Sequence, residues 1–254
     1  MQTITFIGNG NMALSIAQGL KEKYNIEVVG RDMSHLEHFE SQLGKKIEKH
    51  LLKDFDMSHK TILLCVKPAN VEEVSKQMKG KASLLISVLA GTPLNTLQKA
   101  FKAKSTIRSM PNLAASVGAS MTTLTGDVSS KHEALSILSA VGDTLWLNSE
   151  KEIDIATALA GSGPAYLALI AEALTDGAVK QGLKREDAMA TMRGLFGGFG
   201  KLIQEVHPAL LKDGVMSPGG TTAAGYGALE KGNVRASCID AIEEAFEKAK
   251  QLGS

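Results

Sequence analysis

The sequence predicts an α/β domain with a mostly parallel sheet over residues 1–149, followed by an all-α domain over residues 150–254. Two patterns carry that division. In the first half, short apolar runs alternate with amphipathic stretches, as they do where strand–helix–strand units feed a parallel sheet. After about Asn148 the short runs stop, and apolar residues recur at spacings of three and four, the period of a helix. A chain of 254 residues is long enough to build two cores without staples.

The strand candidates are residues 4–7, 27–30, 61–66, 84–88 and 106–109. Between the first two, residues 11–22 predict a helix with Met12, Leu14, Ile16, Ala17 and Leu20 as its apolar positions. Residues 121–124 and 144–147 read as further strands, forming an antiparallel addition at one edge. Beyond them lie three helical stripes. Tyr166, Leu169, Ile170, Ala173, Leu174 and Ala178 follow Gly163-Pro164, where proline suits a first helical turn. Ala188, Met192, Leu195, Phe199 and Leu202 make a second, and Val234, Cys238, Ile242, Ala245 and Ala249 a third. Helices apolar over such wide faces, and rich in glycine at Gly194, Gly197, Gly198 and Gly200, predict a homodimer through this domain, with a higher oligomer open.

Composition narrows the classes. With 44% hydrophobic and 22% charged residues, and 28 basic against 27 acidic side chains, the chain is neither disordered nor a disulfide scaffold. A net charge of +1 gives no basic surface for nucleic acid or anionic membrane. Cys65 and Cys238 stand apart, Cys65 inside an apolar run as a buried structural thiol, and the six histidines are scattered, so no metal site is expected. The chain opens directly on a strand, without a signal-like segment. No apolar run approaches the ~18 residues of a membrane span, and a cytoplasmic location is expected.

Phe6-Ile7-Gly8-Asn9-Gly10-Asn11-Met12-Ala13 is a Gly-x-Gly-x-x-Ala string between a strand and a helix. Gly8 permits a tight turn, Gly10 lets backbone approach a pyrophosphate, and Ala13 lets the helix pack close to the strand. The helix N-terminus then offers unpaired N–H groups to phosphate, so the string predicts a Rossmann-like dinucleotide site. The second strand ends at Gly30, where NAD-binding versions carry an acid for the ribose 2′-hydroxyl. Arg31 follows and can pair with a 2′-phosphate, which favours NADP over NAD; Asp32, one residue on, keeps NAD possible. Further along, Val215-Met216-Ser217-Pro218-Gly219-Gly220-Thr221-Thr222 is a tight turn entering a helix. It offers backbone N–H groups and the hydroxyls of Ser217, Thr221 and Thr222 to a small carboxylate, or serves as a helix start with no ligand.

These strings, with Val66-Lys67-Pro68, Ala90-Gly91, Arg108-Ser109-Met110-Pro111-Asn112 and Gly161-Ser162-Gly163-Pro164-Ala165-Tyr166, resemble the pyrroline-5-carboxylate reductase family over nearly the whole chain. The resemblance implies a Rossmann domain, a helical domain interleaved with that of a second subunit, and NADPH-dependent reduction of a cyclic imine to L-proline. It implies that Ser217, Gly219, Gly220 and Thr221 hold the substrate carboxylate and that Thr222 stands by the imine nitrogen as the catalytic residue. It places Val66, Lys67, Pro68, Ala90 and Asn112 along the cofactor and nicotinamide, beside Gly8, Asn9, Gly10, Asn11 and Met12 of the glycine string and Arg31 as read above. Glu205 matches an acidic position near the substrate loop and reads equally as a solvated helix residue; Lys67 reads equally as the charged end of a strand. Two residues depart from the family: Leu113 stands where threonine is usual, and Ser120 where glycine is common.

Imine reduction needs little acid chemistry from the protein, since a cyclic imine is itself basic; orientation is the main demand. A β-hydroxyacid dehydrogenase shares the layout but needs a base, commonly a lysine soon after a Gly-x-Gly turn. Ala165, Tyr166 and Leu167 follow Gly163-Pro164 instead. A non-catalytic NADP-binding sensor would have no use for a carboxylate turn.

Overall fold

The computed structural model describes residues 1–53 and 55–253. Contacts divide them into two compact units, one of Met1–Ser162 with the chain end from Glu243, the other Gly163–Ile242. In the first unit the strands are β1 (Thr3–Ile7), β2 (Asn25–Gly30), β3 (Glu48–Leu51), β4 (Phe55–Asp56), β5 (Thr61–Leu64), β6 (Met78–Lys79), β7 (Ala82–Ser87), β8 (Ala103–Met110), β9 (Ser120–Gly126) and β10 (Gly142–Trp146). Its helices are α1 (Asn11–Leu20), α2 (Met33–Leu43), α3 (Val71–Lys76), α4 (Leu94–Ala100), α5 (Lys131–Leu138) and α6 (Glu150–Ala156).

The main sheet runs β10-β9-β8-β7-β5-β1-β2-β3, and β4 pairs with β6 apart from it. From β3 to β8 every pairing is parallel. Renumbered without β4 and β6, these six strands have the order 3-2-1-4-5-6, which reverses between β1 and β5. β9 is antiparallel to β8 and β10 parallel to β9, so the expected antiparallel edge is a pair of strands running together against the rest.

Strand alternation sorts the core onto two faces. Ile4 and Phe6 pack with Ala13, Ile16, Ala17 and Leu20 of α1, whereas Ile7 joins Ile62, Leu64, Val71, Leu85 and Leu97 on the other side. Phe6 is fully buried, and truncating it to alanine costs about 3–5 kcal/mol. Glu27 is also buried; Thr5 donates to it and the Lys60 ammonium lies 3.0 Å from both of its oxygens. Glu27, Glu48 and His50 gather within 4.8 Å, a grouping the scatter of histidines along the chain conceals. Lys60 already neutralises its buried member.

The sequence reading passes over β3, β4 and β6. β3 is Glu-Lys-His-Leu at the sheet edge, where charged side chains guard unpaired backbone and leave no apolar run to read. The helix expected over 11–22 ends at Leu20, because Lys21 caps it by donating to Ala17 and Tyr24 N–H turns back to Leu20. The boundary expected at 149/150 marks the end of the sheet, but the compact unit continues to Ser162. Arg108 of β8, 3% exposed, reaches Glu150 Oε1 at 3.2 Å and Asp154 Oδ1 at 2.5 Å, which ties α6 to the sheet. The same Glu150 oxygen accepts from Leu94 N–H at 2.8 Å and so caps α4.

The second unit is helical, as the spacing predicts: α7 (Gly163–Lys180), α8 (Arg185–Glu205), α9 (Pro208–Val215), α10 (Thr221–Lys231) and the greater part of α11 (Val234–Gly253). Large apolar side chains stay uncovered, among them Leu169, Leu195, Leu202 and Ile239. The helical segment Glu150–Lys180 is long and apolar enough to cross a membrane by length and composition. This corrects the reading that no such run exists: Gly161-Ser162-Gly163-Pro164 interrupts the apolar string without ending the helical segment.

Candidate active site

In an open α/β sheet the ligand crevice lies outside the C-terminal strand ends where the strand order reverses. A cavity of about 440 Å³ occupies that place, between the loops that follow β1 and β5. Gly8, Asn9, Gly10, Gly30, Arg31, Val66 and Lys67 line it, joined by Leu52, Cys65, Asn70 and Val74. The two motif glycines differ in kind. Gly8 has φ +103°, and a Cβ there would lie 2.7 Å from the Cys65 carbonyl oxygen. Gly10 has an ordinary φ of −80° and nothing within 4 Å of an added Cβ, so its surface is bare backbone facing open space.

Gly10 begins α1, and no side chain caps the helix. The first free N–H groups belong to Asn11, Met12 and Ala13, since helical bonding starts with Leu14 N–H to Gly10. By contrast α2 is capped by Asp32, whose carboxylate accepts from Ser34 N–H at 2.7 Å. Those bonds from Ser34 hold the Asp32 carboxyl below its ordinary value. The carboxylate that left NAD open in the sequence is thus engaged by its own helix, while Arg31, 64% exposed, projects at the cavity.

Other expected cofactor residues lie outside this cavity. Asn11 and Met12 follow Gly10 in the first turn of α1, and exposed Pro68 opens a short helical turn after Lys67. Ala90 follows β7 and Asn112 follows β8, whose C-terminal ends stand beside those of β5 and β1 along the same sheet edge. At about 4.8 Å per strand the edge from β2 to β8 spans roughly 19 Å, a strip suited to an extended dinucleotide. Asn112 is committed internally: its Nδ2 donates to Ala160 at 3.0 Å and its Oδ1 accepts from Ala114 N–H at 3.0 Å. Of the two departures from the family, Leu113 is 65% exposed, and Ser120 is buried, its hydroxyl accepting from Asn112 N–H at 3.1 Å. Cys65 is half-buried at the cavity wall, and burial pushes the pKa of its thiol up.

The turn before α10 has the expected form. Gly219 takes φ +71°, which favours glycine, whereas Gly220 has an ordinary φ and a Cβ there would crowd the Ser217 hydroxyl at 2.5 Å, a group that can rotate. Gly220 leaves α10 without a side-chain cap, and exposed Thr221 and Thr222 begin its first turn. Glu205 closes α8 as an exposed residue. Leu52, Asn70 and Val74 were missed; Leu52 follows the unrecognised β3, and Asn70 and Val74 extend the Val66-Lys67-Pro68 string into α3.

A parallel sheet in this order, an uncapped helix opened by glycine at its reversal point and a helical region that follows in the chain define a dinucleotide-dependent oxidoreductase. Comparison with known proteins is more specific. Residues 150–252 match the model of pyrroline-5-carboxylate reductase dimerisation, and residues 3–91 that of NADP oxidoreductase coenzyme F420-dependent. The pyrroline-5-carboxylate reductase of Arabidopsis thaliana is 36% identical, over 98% of this chain and 95% of its own. A Coxiella burnetii pyrroline-5-carboxylate reductase structure is 34% identical with TM-score 0.84, covering 99% of this chain and 98% of its own. The Plasmodium falciparum enzyme, solved with NADP bound, is 28% identical with TM-score 0.82, covering 100% and 98%. The chain belongs to the pyrroline-5-carboxylate reductase family, NAD(P)H-dependent oxidoreductases that reduce pyrroline-5-carboxylate to proline.

Proposed function

We propose that the chain makes L-proline from pyrroline-5-carboxylate with NADPH. The observation that carries this reading is the crevice at the strand reversal, where the uncapped start of α1 meets Arg31 in place of an acid. The bare Gly10 backbone and the free N–H groups of Asn11, Met12 and Ala13 fit a pyrophosphate, and the Arg31 guanidinium fits a 2′-phosphate. Bound there, the cofactor supplies the hydride. Val66, Lys67 and Pro68 take its middle, with Ala90 and Asn112 toward the nicotinamide. Ser217, Gly219, Gly220 and Thr221 hold the substrate carboxylate on the N–H groups that open α10, and the Thr222 hydroxyl stands by the imine nitrogen.

α7 supports imine reduction over β-hydroxyacid oxidation, because the one lysine in that helix is Lys180, at its far end. The uncovered faces of Leu169, Leu195 and Leu202 support a homodimer through the helical region, and we assign the apolar side of Glu150–Lys180 to that partner rather than to a membrane. The proposed location is cytoplasmic.

The test follows NADPH absorbance with pyrroline-5-carboxylate, with NADH in parallel, for the native chain and Thr222→Ala. Imine-dependent oxidation that is faster with NADPH, and that Thr222→Ala slows while NADPH affinity persists, is the expected result. NADPH binding without imine turnover overturns the activity. Full turnover in Thr222→Ala overturns the role given to that hydroxyl.

A further inference from the structure

One carboxylate near the crevice has no place in that scheme. Glu73, on α3, brings Oε1 to 4.0 Å from Arg31 Nη1, and the two side chains are 56% and 64% exposed. Its neighbours leave it for this contact: Glu72 pairs with Lys76 at 2.6 Å, and Asp32 is held by Ser34. Val74, next in the chain, lines the same cavity, so Glu73 stands beside the space where Arg31 would read a phosphate.

We propose that Glu73 is a specificity-determining residue that lowers the chain's preference for NADPH over NADH. The inference rests on the reading of Arg31 as the residue that pairs with the 2′-phosphate. In the free protein the Glu73 carboxylate stands 4.0 Å from the guanidinium, a loose and exposed pairing with which a 2′-phosphate drawn to Arg31 competes. A phosphate monoester carrying roughly −1.5 to −2 charges is then held close to a second anion. NADH presents a neutral 2′-hydroxyl at the same place and meets neither penalty. Lys67 also lines the cavity and, among the described residues, is its other cation. Glu73 therefore acts on one cofactor and is silent toward the other.

Calorimetric titration of the full chain with 2′,5′-ADP and with 5′-AMP isolates this effect from catalysis. Glu73→Gln should tighten 2′,5′-ADP by about two- to five-fold at low salt, the range for an exposed ion pair, and leave 5′-AMP unchanged. The gain should vanish at about 1 M salt, where screening acts within roughly 3 Å, and should shrink in the Arg31→Ala background, where only the direct repulsion between Glu73 and the phosphate is left. Glu73→Asp, with a shorter reach, should show a smaller shift of the same sign, and kcat/KM for NADPH over NADH should rise in step. Equal tightening of both nucleotides, or no tightening of either, overturns the proposal. If Arg31→Ala binds 2′,5′-ADP as tightly as the native chain, the Arg31 reading itself fails, whatever Glu73→Gln does.

Discussion

Gly8 and Gly10 stand two residues apart in one motif, yet replacing each by alanine should break different things. At Gly8 the backbone is left-handed at φ +103°, which costs an alanine about 1–2 kcal/mol. The new Cβ would also press on the Cys65 carbonyl at 2.7 Å, backbone that cannot rotate away, adding about 1–3 kcal/mol of overpacking. Gly8→Ala should therefore lose about 2–5 kcal/mol, a large part of the roughly 5–15 kcal/mol that holds a domain together. At Gly10 the dihedrals are ordinary and nothing lies within 4 Å, so stability should stay within about 1 kcal/mol, a weaker helix start offsetting a less flexible unfolded chain. The methyl instead fills the space proposed for the pyrophosphate. NADPH affinity should fall roughly 5- to 150-fold, the equivalent of about 1–3 kcal/mol of crowding. Urea denaturation and NADPH fluorescence titration read the two quantities separately. A Gly10→Ala chain that binds NADPH like the native one, or a Gly8→Ala chain of native stability, would refute the reasoning.

Arg108→Ala should cost about 1.5–3 kcal/mol in urea denaturation, because Asp154 and the partly exposed Glu150 lose their cation; a loss under about 0.5 kcal/mol would show the pair to be superficial. Ser120→Gly should cost about 1–3 kcal/mol by unpairing Asn112 N–H and the Thr122 hydroxyl, measured the same way. A thiol reagent at pH 8 should modify Cys65 much more slowly in the native chain than after unfolding, since burial raises the pKa of its thiol; mass spectrometry showing equal labelling rates would contradict this.

The parts of the fold that were legible in the sequence are those written locally. β1, β5 and β7 are largely buried on both faces, so apolar residues dominate them, unbroken at Ile62–Leu64 and Leu84–Ile86 and interrupted only by Thr5 within residues 4–7, and the Gly8–Gly10 spacing encodes a turn that few other residues can make. The Ser217–Thr222 turn was legible for the same reason. β3 hid because an edge strand is protected by the charges that disguise it. Arg108 is 42 residues from Glu150 and 46 from Asp154, so no local pattern marks them as one unit. Glu73 lay inside a helix-like string with an adjacent acid, and only the approach of α3 to the end of β2 distinguishes it from Glu72.

That Glu150 oxygen, shared by Arg108 and Leu94, decides where the protein can be cut. A fragment ending at residue 149, where the strands stop, would strip a guanidinium of both its counter-charges and leave the first turn of α4 uncapped. A fragment ending at Ser162 keeps all three bonds, together with the Ala160 carbonyl on which Asn112 rests. The smallest portion of this chain expected to fold alone and still take up a dinucleotide is therefore longer than its sheet and includes α6.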